Sequence, residues 1–532
     1  MDDPISFDSM DVSLSTNFQE NFEKPRPDTP FRILIMGDFS GRANRGVETD
    51  GSDIGQRMLF KVDRDSDEKV MEKMAVSIRL RVAGNGTPPV DMTFGELDDF
   101  HPEQIYFRTD IFKKMKDVRN QLINPDTFVE TASRLTGKSM SPTHPRHDKK
   151  SDKLPPGEPC FAGDTTGNLL DHVLDASLPA AVGGDRAKPQ TDWDRFLGDI
   201  VGPHLVPDIE KEQDAMVEAV DRTISDLMRR LIHHPDFQAI ESAWRALQFC
   251  LRRLETDENL MVYLIDVSKV ELASDLTAHE DLRDTASYKI LASTSQHHRG
   301  QAPWSLLAGM YTFSPKKMDA VVLARLGAMG QMFGAPFVSR GDTGFMGCPS
   351  LPTTPDPSDW TVEPEPSDKK AWQAVRTLPE ARWIGLALPR FLIRMPYGEA
   401  TDPVDAFAFE EIGDPADHEH YLWANPIFAL ILVLGRTFTQ FGWEWSRGLA
   451  SGVSGLPLHV FEEQGERTLK PCAEVFLSDR SLEKIIGYGL MPLVSFKDQD
   501  RIQLARFQSV ADPLSPLSGR WYGSSLPAGS GC

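Results

Sequence analysis

The sequence predicts a multidomain α/β chain, with some α+β character, in which mixed sheets are flanked by helices. Short apolar stretches of the length of buried strands alternate with stretches whose apolar residues recur every three or four positions. This alternation repeats in 303–337, 381–394 and 471–510, which is typical of layered α/β folds. The 532 residues correspond to about three domains, and 40% hydrophobic with 26% charged residues is an ordinary globular composition.

The charge balance disfavours several classes of partner. There are 57 basic and 79 acidic residues, a net charge of −22, so nucleic acid or an anionic membrane would repel most of the surface. The five cysteines are scattered and none forms a CxxC pair, which gives no indication of a zinc ribbon or a disulfide framework. No export signal is visible, and the longest apolar run, Ile427 to Leu434, is far shorter than a membrane span. We therefore expect a cytoplasmic protein without membrane insertion or nucleic-acid binding.

The first part of the chain is predicted to contain a small α/β module. Residues 1–29 are polar and proline-containing, as in a flexible arm. Three strands and a helical stretch are predicted after this arm, at Phe31 to Met36, Val76 to Val82, Val90 to Phe94 and about Glu103 to Arg134. Residues 30–135 are therefore predicted as one domain.

Residues 136–195 have the composition of a linker, crowded with Pro, Gly and Lys-Lys dipeptides. One island within it, Leu169 to Leu174, has apolar residues three and four apart, which predicts a short amphipathic helix over 168–175. Such an island serves either as a docking peptide or as a local packing element.

The rest of the chain, 196–521, is predicted to form a second, larger domain, followed by a disordered tail at 522–532. An apolar stripe from Val217 to Leu231 indicates a helix that Pro235 ends, and Leu260 to Val267 reads as a buried strand. The segment 350–370, rich in Pro, Asp and Ser, is expected to be an exposed loop.

The motifs of catalysis are missing or incomplete. The loop Gly37 to Arg42 follows a strand but lacks the lysine and hydroxyl of a phosphate-binding loop, and GxGxxG, GxSxG and HExxH do not occur. Acidic pairs such as Glu410-Glu411 are expected in solvent. His418 and His420 would face one side of an extended segment, but no third metal ligand is evident. We expect no catalytic residues, cofactor or metal, while a metal-dependent hydrolase using these histidines remains an alternative.

A different kind of motif combines aromatic, proline and arginine residues. Aromatic and arginine side chains often anchor protein interfaces, although core packing is the alternative for each of them. The candidates for interface or structural roles are Asp38, Arg42, Trp244, Trp304, Arg390, Arg394, Tyr397 and Trp423.

These motifs resemble the contractile sheath proteins of bacterial type VI secretion systems. Residues 30–135 resemble the small sheath subunit in the stretches Pro30 to Arg42, Phe60 to Asp65 and Phe94 to Glu103. Residues 168–513 resemble the large subunit in the stretches Leu231 to Arg245, Pro303 to Leu307, Leu388 to Phe391, Pro396 to Gly398, Tyr421 to Pro426 and Gly489 to Leu493. The chain therefore looks like a fusion of both sheath proteins.

The resemblance implies a mechanical role without enzymatic activity. Sheath subunits form a helical polymer with themselves and other sheath subunits around an inner tube of Hcp protein, in contact with baseplate proteins, and contraction propels the tube. The AAA+ unfoldase ClpV grips a helix of the large subunit, whose place here is taken by Leu169, Leu170, Asp171, Val173 and Leu174. The chain ends soon after Trp521, without the C-terminal domain usual in the family's large subunit, so a non-polymerising cap or baseplate adaptor is the alternative.

Overall fold

The computed structural model describes residues 25–81, 89–136, 209–295, 302–413, 417–445, 448–450, 452–463 and 466–522. The α-helices are Arg42–Arg45, Asp67–Met74, Pro102–Arg108, Asp110–Ile123, Pro125–Thr136, Ile209–Ile232, Pro235–Leu251, Lys269–Ala278, Ala286–Ser295, Lys317–Phe333, Pro366–Thr377, Ile427–Phe441 and Asp479–Gly487. The strands are β1 (Phe31–Gly37), β2 (Phe60–Val62), β3 (Ser77–Leu80), β4 (Val90–Thr93), β5 (Leu260–Asp266), β6 (Leu306–Phe313), β7 (Phe337–Gly341), β8 (Ile384–Leu388), β9 (Phe391–Leu392), β10 (Trp423–Ala424), β11 (Val460–Glu463), β12 (Glu466–Leu469), β13 (Leu490–Ser495) and β14 (Ile502–Leu504).

An eight-stranded sheet with the order β14-β13-β8-β7-β6-β1-β5-β2 organises the fold. The six inner strands run parallel, while β14 and β2 pair antiparallel at the two ends. The remaining strands pair as β3-β4, β9-β10 and β11-β12. The predicted α/β class with mixed sheets is therefore confirmed.

Strand β1 lies inside this sheet, between two strands that come much later in the chain. Its pairing with β5 runs from Phe31 opposite Leu260 to Gly37 opposite Asp266, and its other edge pairs with β6. All seven residues of β1 are buried, as expected for an inner parallel strand that needs cover on both faces. Strand β2 joins the same sheet at its end, while β3 and β4 pair with each other, so residues 30–135 contribute strands to two sheets.

Helices cover the two faces of the sheet, and the alternating residues of β1 show this division. Phe31 packs against Phe438 of the helix Ile427–Phe441, with ring centroids 5.1 Å apart. Leu34 and Met36 point the other way and join the apolar core that includes the helix Lys317–Phe333. The run Ile427 to Leu434 is therefore a buried core segment, and no helix among the described residues is long and apolar enough to cross a membrane.

Most predicted elements are present, with two differences. The helical stretch 103–134 consists of three helices, because Thr109 and Asn124 interrupt it before Asp110 and Pro125. The segment 350–370 is not wholly exposed, since Leu351 and Trp360 are only 1% and 6% exposed and anchor it to the core. The predicted helix ending before Pro235 and the strand at Leu260 are confirmed as Ile209–Ile232 and β5.

The chain divides into two compact units, one of residues up to Lys114 and from Ile224 onwards, and one of Met115–Thr223. The smaller unit is helical in its described part. Arg119 pairs with Asp221 there, at 2.9 Å between Nη2 and Oδ2, and Gln213 donates to the carbonyl of Leu122 at 2.7 Å. The predicted helix over 168–175, the arm up to residue 24 and the tail from residue 523 lie outside the described residues.

Candidate functional site

A buried carboxylate, Glu271, joins the segment after β1 to the helix after β5. Its side chain is fully buried and accepts hydrogen bonds from the guanidinium groups of Arg42 at 3.0 Å and Arg57 at 2.7 Å. The backbone N–H of Thr49 and of Ser268 also donate to it, at 3.0 Å each. We call Glu271, Arg42 and Arg57 the Glu271 cluster.

Two opposing effects act on the ionisation of Glu271. Burial alone would raise the pKa of this carboxyl, but the hydrogen bonds from Arg57 and Arg42 outweigh burial and hold the pKa well below its usual range. The carboxylate stays ionised and fully bonded at neutral pH. Arg42, a predicted structural residue, therefore lies in an internal ion cluster of the monomer.

A second buried network surrounds Arg394, which is also a predicted residue. Its guanidinium donates to Glu241 at 2.8 Å and to Glu411 at 2.7 Å, and both carboxylates are almost completely buried. Arg245 donates to Glu241 at 2.7 Å and to the hydroxyl of Tyr397 at 2.9 Å. We call these five residues the Arg394 cluster. It joins the helix Pro235–Leu251 to the segments 394–397 and 411, so Tyr397 and Arg394 lie in the interior of the fold.

A third group, the Arg390 cluster, contains Arg390, Glu474, Glu419 and His418. Arg390 Nε donates to Glu474 at 2.8 Å and Nη2 to Glu419 at 3.0 Å, while His418 Nε2 lies 3.3 Å from Glu474. The backbone N–H of Arg390 also donates to Glu474, at 2.8 Å. Arg390 is thus held by two carboxylates, one buried and one at the surface.

The histidines do not form the arrangement expected for a metal. His418–His420 is a 3₁₀ turn, not an extended segment, so the two imidazoles diverge. His418 stacks on Trp423 and His420 stacks on His233, with ring centroids 4.7 and 3.9 Å apart. Among the described residues, no group of three or more His, Cys, Asp or Glu side chains is placed to hold a metal ion.

Two of the three predicted tryptophans, Trp244 and Trp304, are core residues next to the β1 segment. Trp244 is 2% exposed, and its Nε1 donates to the carbonyl of Phe39 at 2.9 Å. Trp304 is fully buried, and the guanidinium of Arg32 lies 4.1 Å from its ring centroid. Both hold the β1 segment against later parts of the chain.

In the loop Gly37 to Arg42, the side chain of Asp38 binds the backbone N–H groups at the end of the turn. Asp38 accepts hydrogen bonds from the backbone N–H of Arg42 at 2.7 Å and of Ala43 at 2.8 Å. These are the donors that a phosphate would need at this turn. Gly41 has φ +80°, and a Cβ there would collide with the carbonyl of Ser77, so the turn requires glycine.

A cavity of about 750 Å³ opens at the carboxyl ends of the parallel strands. Its lining includes Asp38 after β1, Ser268 after β5, Thr312 in β6 and Arg340 in β7. Clefts of this size at this edge are where α/β sheets usually bind ligands.

Comparison with known proteins identifies the family. The family model described as "EvpB/VC_A0108, tail sheath N-terminal domain" (VipB) matches residues 214–511, more than half of the chain. The chain belongs to the VipB tail sheath family. A second model, described as "Type VI secretion system, VipA, VC_A0107 or Hcp2", matches residues 12–138. One polypeptide thus carries a VipA-like part followed by a VipB part, as its motifs predicted.

Two curated relatives come from Pseudomonas aeruginosa. The type VI secretion system sheath protein TssC1 is 34% identical over 312 residues, which cover 58% of this chain and 63% of that protein. The sheath protein TssB1 is 26% identical over 105 residues, 19% of this chain and 59% of the relative. The chain therefore spans about three fifths of the length of each relative.

The VipB part contains buried acids that sequence reasoning missed. Glu411 is 1% exposed, although it belongs to an acidic pair that was expected in solvent. Glu241, Glu271 and Glu474 are also buried, and as isolated glutamates they carry no sequence pattern that predicts burial. The available hint was the spacing of Glu241 and Arg245, four residues apart on one helix, which favours an ion pair.

The sheath chain is expected to lose stability in acid because of Glu411 and Glu474. Burial alone would raise the pKa of each carboxyl. The charge of Arg394 outweighs this effect at Glu411, and the hydrogen bond from His418 together with Arg390 does so at Glu474. The pKa of each carboxyl is therefore lowered from 4.5 to about 2. The unfolded chain then binds more protons between these values, so stability is complete above about pH 5 and falls towards pH 2. The loss is about 3 kcal/mol per carboxyl at most.

Urea unfolding of the full chain between pH 3 and 7 measures this loss. A matched variant carrying Glu411→Gln and Glu474→Gln lacks both titrating groups and is expected to depend less on pH over the same interval. An acid dependence equal to that of the unsubstituted chain would assign the effect to other carboxyls.

Proposed function

We propose that this chain is a structural subunit of a type VI secretion contractile sheath, which assembles with copies of itself and other sheath subunits into a helical polymer. The observation that carries the proposal is the match of one chain, in order, to a VipA model and a VipB sheath model. A subunit whose two contact surfaces differ, and whose repeat does not close into a ring, generates such a helix.

The fold is consistent with a mechanical role for this chain. Strand β1 of the VipA-like part is held inside the sheet of the VipB part, and the Glu271 cluster ties the segment after β1 to the helix after β5. Buried pairs with matched geometry resist separation, since breaking one leaves an uncompensated charge. A body braced in this way can transmit force between neighbouring subunits without deforming.

The eight candidate residues are buried or only partly exposed, and we therefore assign the subunit contacts to other parts of the surface. One candidate surface is the outer edge of β2, which pairs with β5 on one side and with no other described strand. An open edge accepts a strand from another chain through backbone hydrogen bonds. The proposal therefore places subunit contacts at the sheet edge and outside the ion clusters.

The partners follow from the same proposal. The inner surface of the polymer would contact an Hcp tube and one end would contact baseplate proteins. An unfoldase of the ClpV type would recycle the contracted form through Leu169 to Leu174. All of these contacts would take place in the cytoplasm.

Electron microscopy of the purified full chain tests the proposal. The chain is incubated alone, with Hcp and with separate sheath subunits, over a series of salt concentrations, because a charge of −22 on each copy opposes assembly at low salt. Regular tubes with a helical repeat are the expected product, and light scattering measures their growth. Monomers under every condition would contradict the proposal. Binding only at the end of preformed sheaths would favour the cap or baseplate adaptor.

A further inference from the structure

The cavity at the carboxyl ends of the strands lies where the direction of strand order changes. Among the parallel strands, β5 is added on one side of β1, and β6, β7 and β8 then follow on the other side. This arrangement leaves a crevice beside β1 at which doubly wound sheets bind their ligands. The cavity occupies that crevice and has room for a molecule of several tens of atoms.

Arg340 lines this cavity without a partner. Within the described part of the chain, no carboxylate lies within 4.0 Å of its guanidinium and no acceptor takes a hydrogen bond from it. Burial, and then the charge of Arg390, lower the pKa of Arg340, while the charges of Glu474, Asp342 and Glu419 act in the opposite direction. Its neighbour Arg390 holds both Glu474 and Glu419 by direct contacts, which leaves Arg340 as a cation facing the cavity.

A second polar group of the cavity wall is unsatisfied. Glu48 Oε1 is buried and has no hydrogen-bond partner among the described residues. His233, which also lines the cavity, is engaged inside the protein, since its Nε2 lies 3.6 Å from Glu411 Oε1. Buried polar atoms in folded proteins are nearly always satisfied, so each such atom indicates a missing bonding group.

The other charges of the wall are compensated inside the protein. Lys269 binds Asp319 at 2.6 Å and the carbonyl of Thr312 at 2.7 Å. Asp38 is bonded to two backbone N–H groups, and Glu419 to Arg390. Asp417 accepts from the backbone N–H of Glu419. Among the described residues of the wall, one cation and one anion without a direct partner therefore remain, Arg340 and Glu48.

The sheet separates these two charges. Arg340 belongs to β7, two strands from β1, which is about 10 Å at the usual strand spacing. Glu48 lies beyond β1, since its neighbour Thr49 bonds to Glu271 in the helix after β5. Between the two ends the wall carries Tyr311, Trp423 and the imidazole of His233.

We propose that this cavity binds a small zwitterion of the size of a tripeptide. Its carboxylate would bind Arg340, its ammonium group would bind Glu48, and its body would lie against Tyr311 and Trp423. A guanidinium binds a carboxylate through two parallel hydrogen bonds, which fixes that end of the ligand. Because Glu48 lies beyond β1, next to β5, the two protein charges are about three strand spacings apart, roughly 15 Å. A hydrogen bond of about 3 Å at each end then selects molecules whose own charges are roughly 9 Å apart.

Binding of 8-aminooctanoate to the full chain, measured by calorimetry, tests the proposal. Octanoate and octylamine are the matched probes, because each keeps one charge and the same chain length. Both are expected to bind at least about tenfold more weakly, the usual effect of losing one charge-assisted hydrogen bond. Equal binding of octanoate and 8-aminooctanoate would overturn the assignment of Glu48, and no binding of any probe would overturn the whole proposal.

Two substitutions assign the ends of the ligand. R340Q is expected to weaken both 8-aminooctanoate and octanoate at least about tenfold, whereas E48Q should weaken 8-aminooctanoate and leave octanoate unchanged. R79Q, at an exposed ion pair away from the cavity, is the control and should change neither. Neither cavity residue has a direct partner to lose, so both variants should fold, which circular dichroism verifies. Unchanged binding in a folded R340Q variant contradicts the proposal.

Discussion

Replacing Glu271 with alanine is expected to lower the free energy of unfolding by about 3 to 5 kcal/mol, as for other broken buried ion clusters. The substitution leaves Arg42 and Arg57 without their shared carboxylate, and their side chains are only 19% and 10% exposed. It also leaves the N–H groups of Thr49 and Ser268 without an acceptor. Unsatisfied buried donors cost more than the lost bonds are worth.

Chemical denaturation of the full chain measures the effect of Glu271→Ala. Asp91→Ala is the matched control, since it breaks a single arginine–carboxylate pair that is 61% exposed on both sides, and it should change stability little. Limited proteolysis adds a local readout, because the segment 42–57 should become the first site of cleavage. Equal effects of the two substitutions would show that Glu271 does not hold the segment after β1.

Replacing Arg394 with leucine is expected to lower the free energy of unfolding by a similar amount, about 3 to 5 kcal/mol at pH 7. Glu241 and Glu411 are 0% and 1% exposed, and they share this one guanidinium. Arg245 still binds Glu241 in the variant, whereas Glu411 loses the one arginine that contacts it within the described part of the chain and keeps only the neutral donors and His233 Nε2 at 3.6 Å. The result is a buried carboxylate without its arginine.

The pH dependence of the Arg394→Leu variant distinguishes this cause from simple loss of packing. Without the arginine, burial raises the pKa of Glu411 above that of the unfolded chain. The folded variant then binds more protons, so its stability increases as the pH falls from 7 to 5, while that of the unsubstituted chain does not. Arg394→Lys keeps the charge and is the matched control. A variant that is equally destabilised at pH 5 and pH 7 would rule out an unpaired carboxylate.

Local patterns predicted the secondary structure well, because strands such as Phe31 to Met36 and helices such as Val217 to Leu231 carry their own periodicity. The sheet order could not be predicted, since nothing in the apolar run of β1 specifies β5 and β6 as its neighbours. The motif residues were recognised as structural or interface candidates, and the structure places Arg42, Arg394 and Tyr397 in the interior.

The buried acids were the main failure of sequence reasoning. Glu411 and its neighbour Glu410 look alike in the sequence, but only Glu411 meets an arginine that lies inside the fold. Whether an acid is buried depends on the three-dimensional position of its cation, and that cation is often far away along the chain, as Arg42 is from Glu271. The unpaired Arg340 was missed for the same reason, because the lack of a partner is a property of the fold.

The central position of β1 has a consequence for biosynthesis. The strand leaves the ribosome well before β5 and β6 exist, and at ordinary translation speed the delay is on the order of ten seconds or more. During that time this strand, which is apolar except for Arg32, has no native neighbour in the sheet, and such exposure favours capture by chaperones. Because the VipA-like and VipB parts are translated as one polypeptide, each copy of β1 is followed by its own β5 and β6, and the two parts are made in a fixed ratio of one to one.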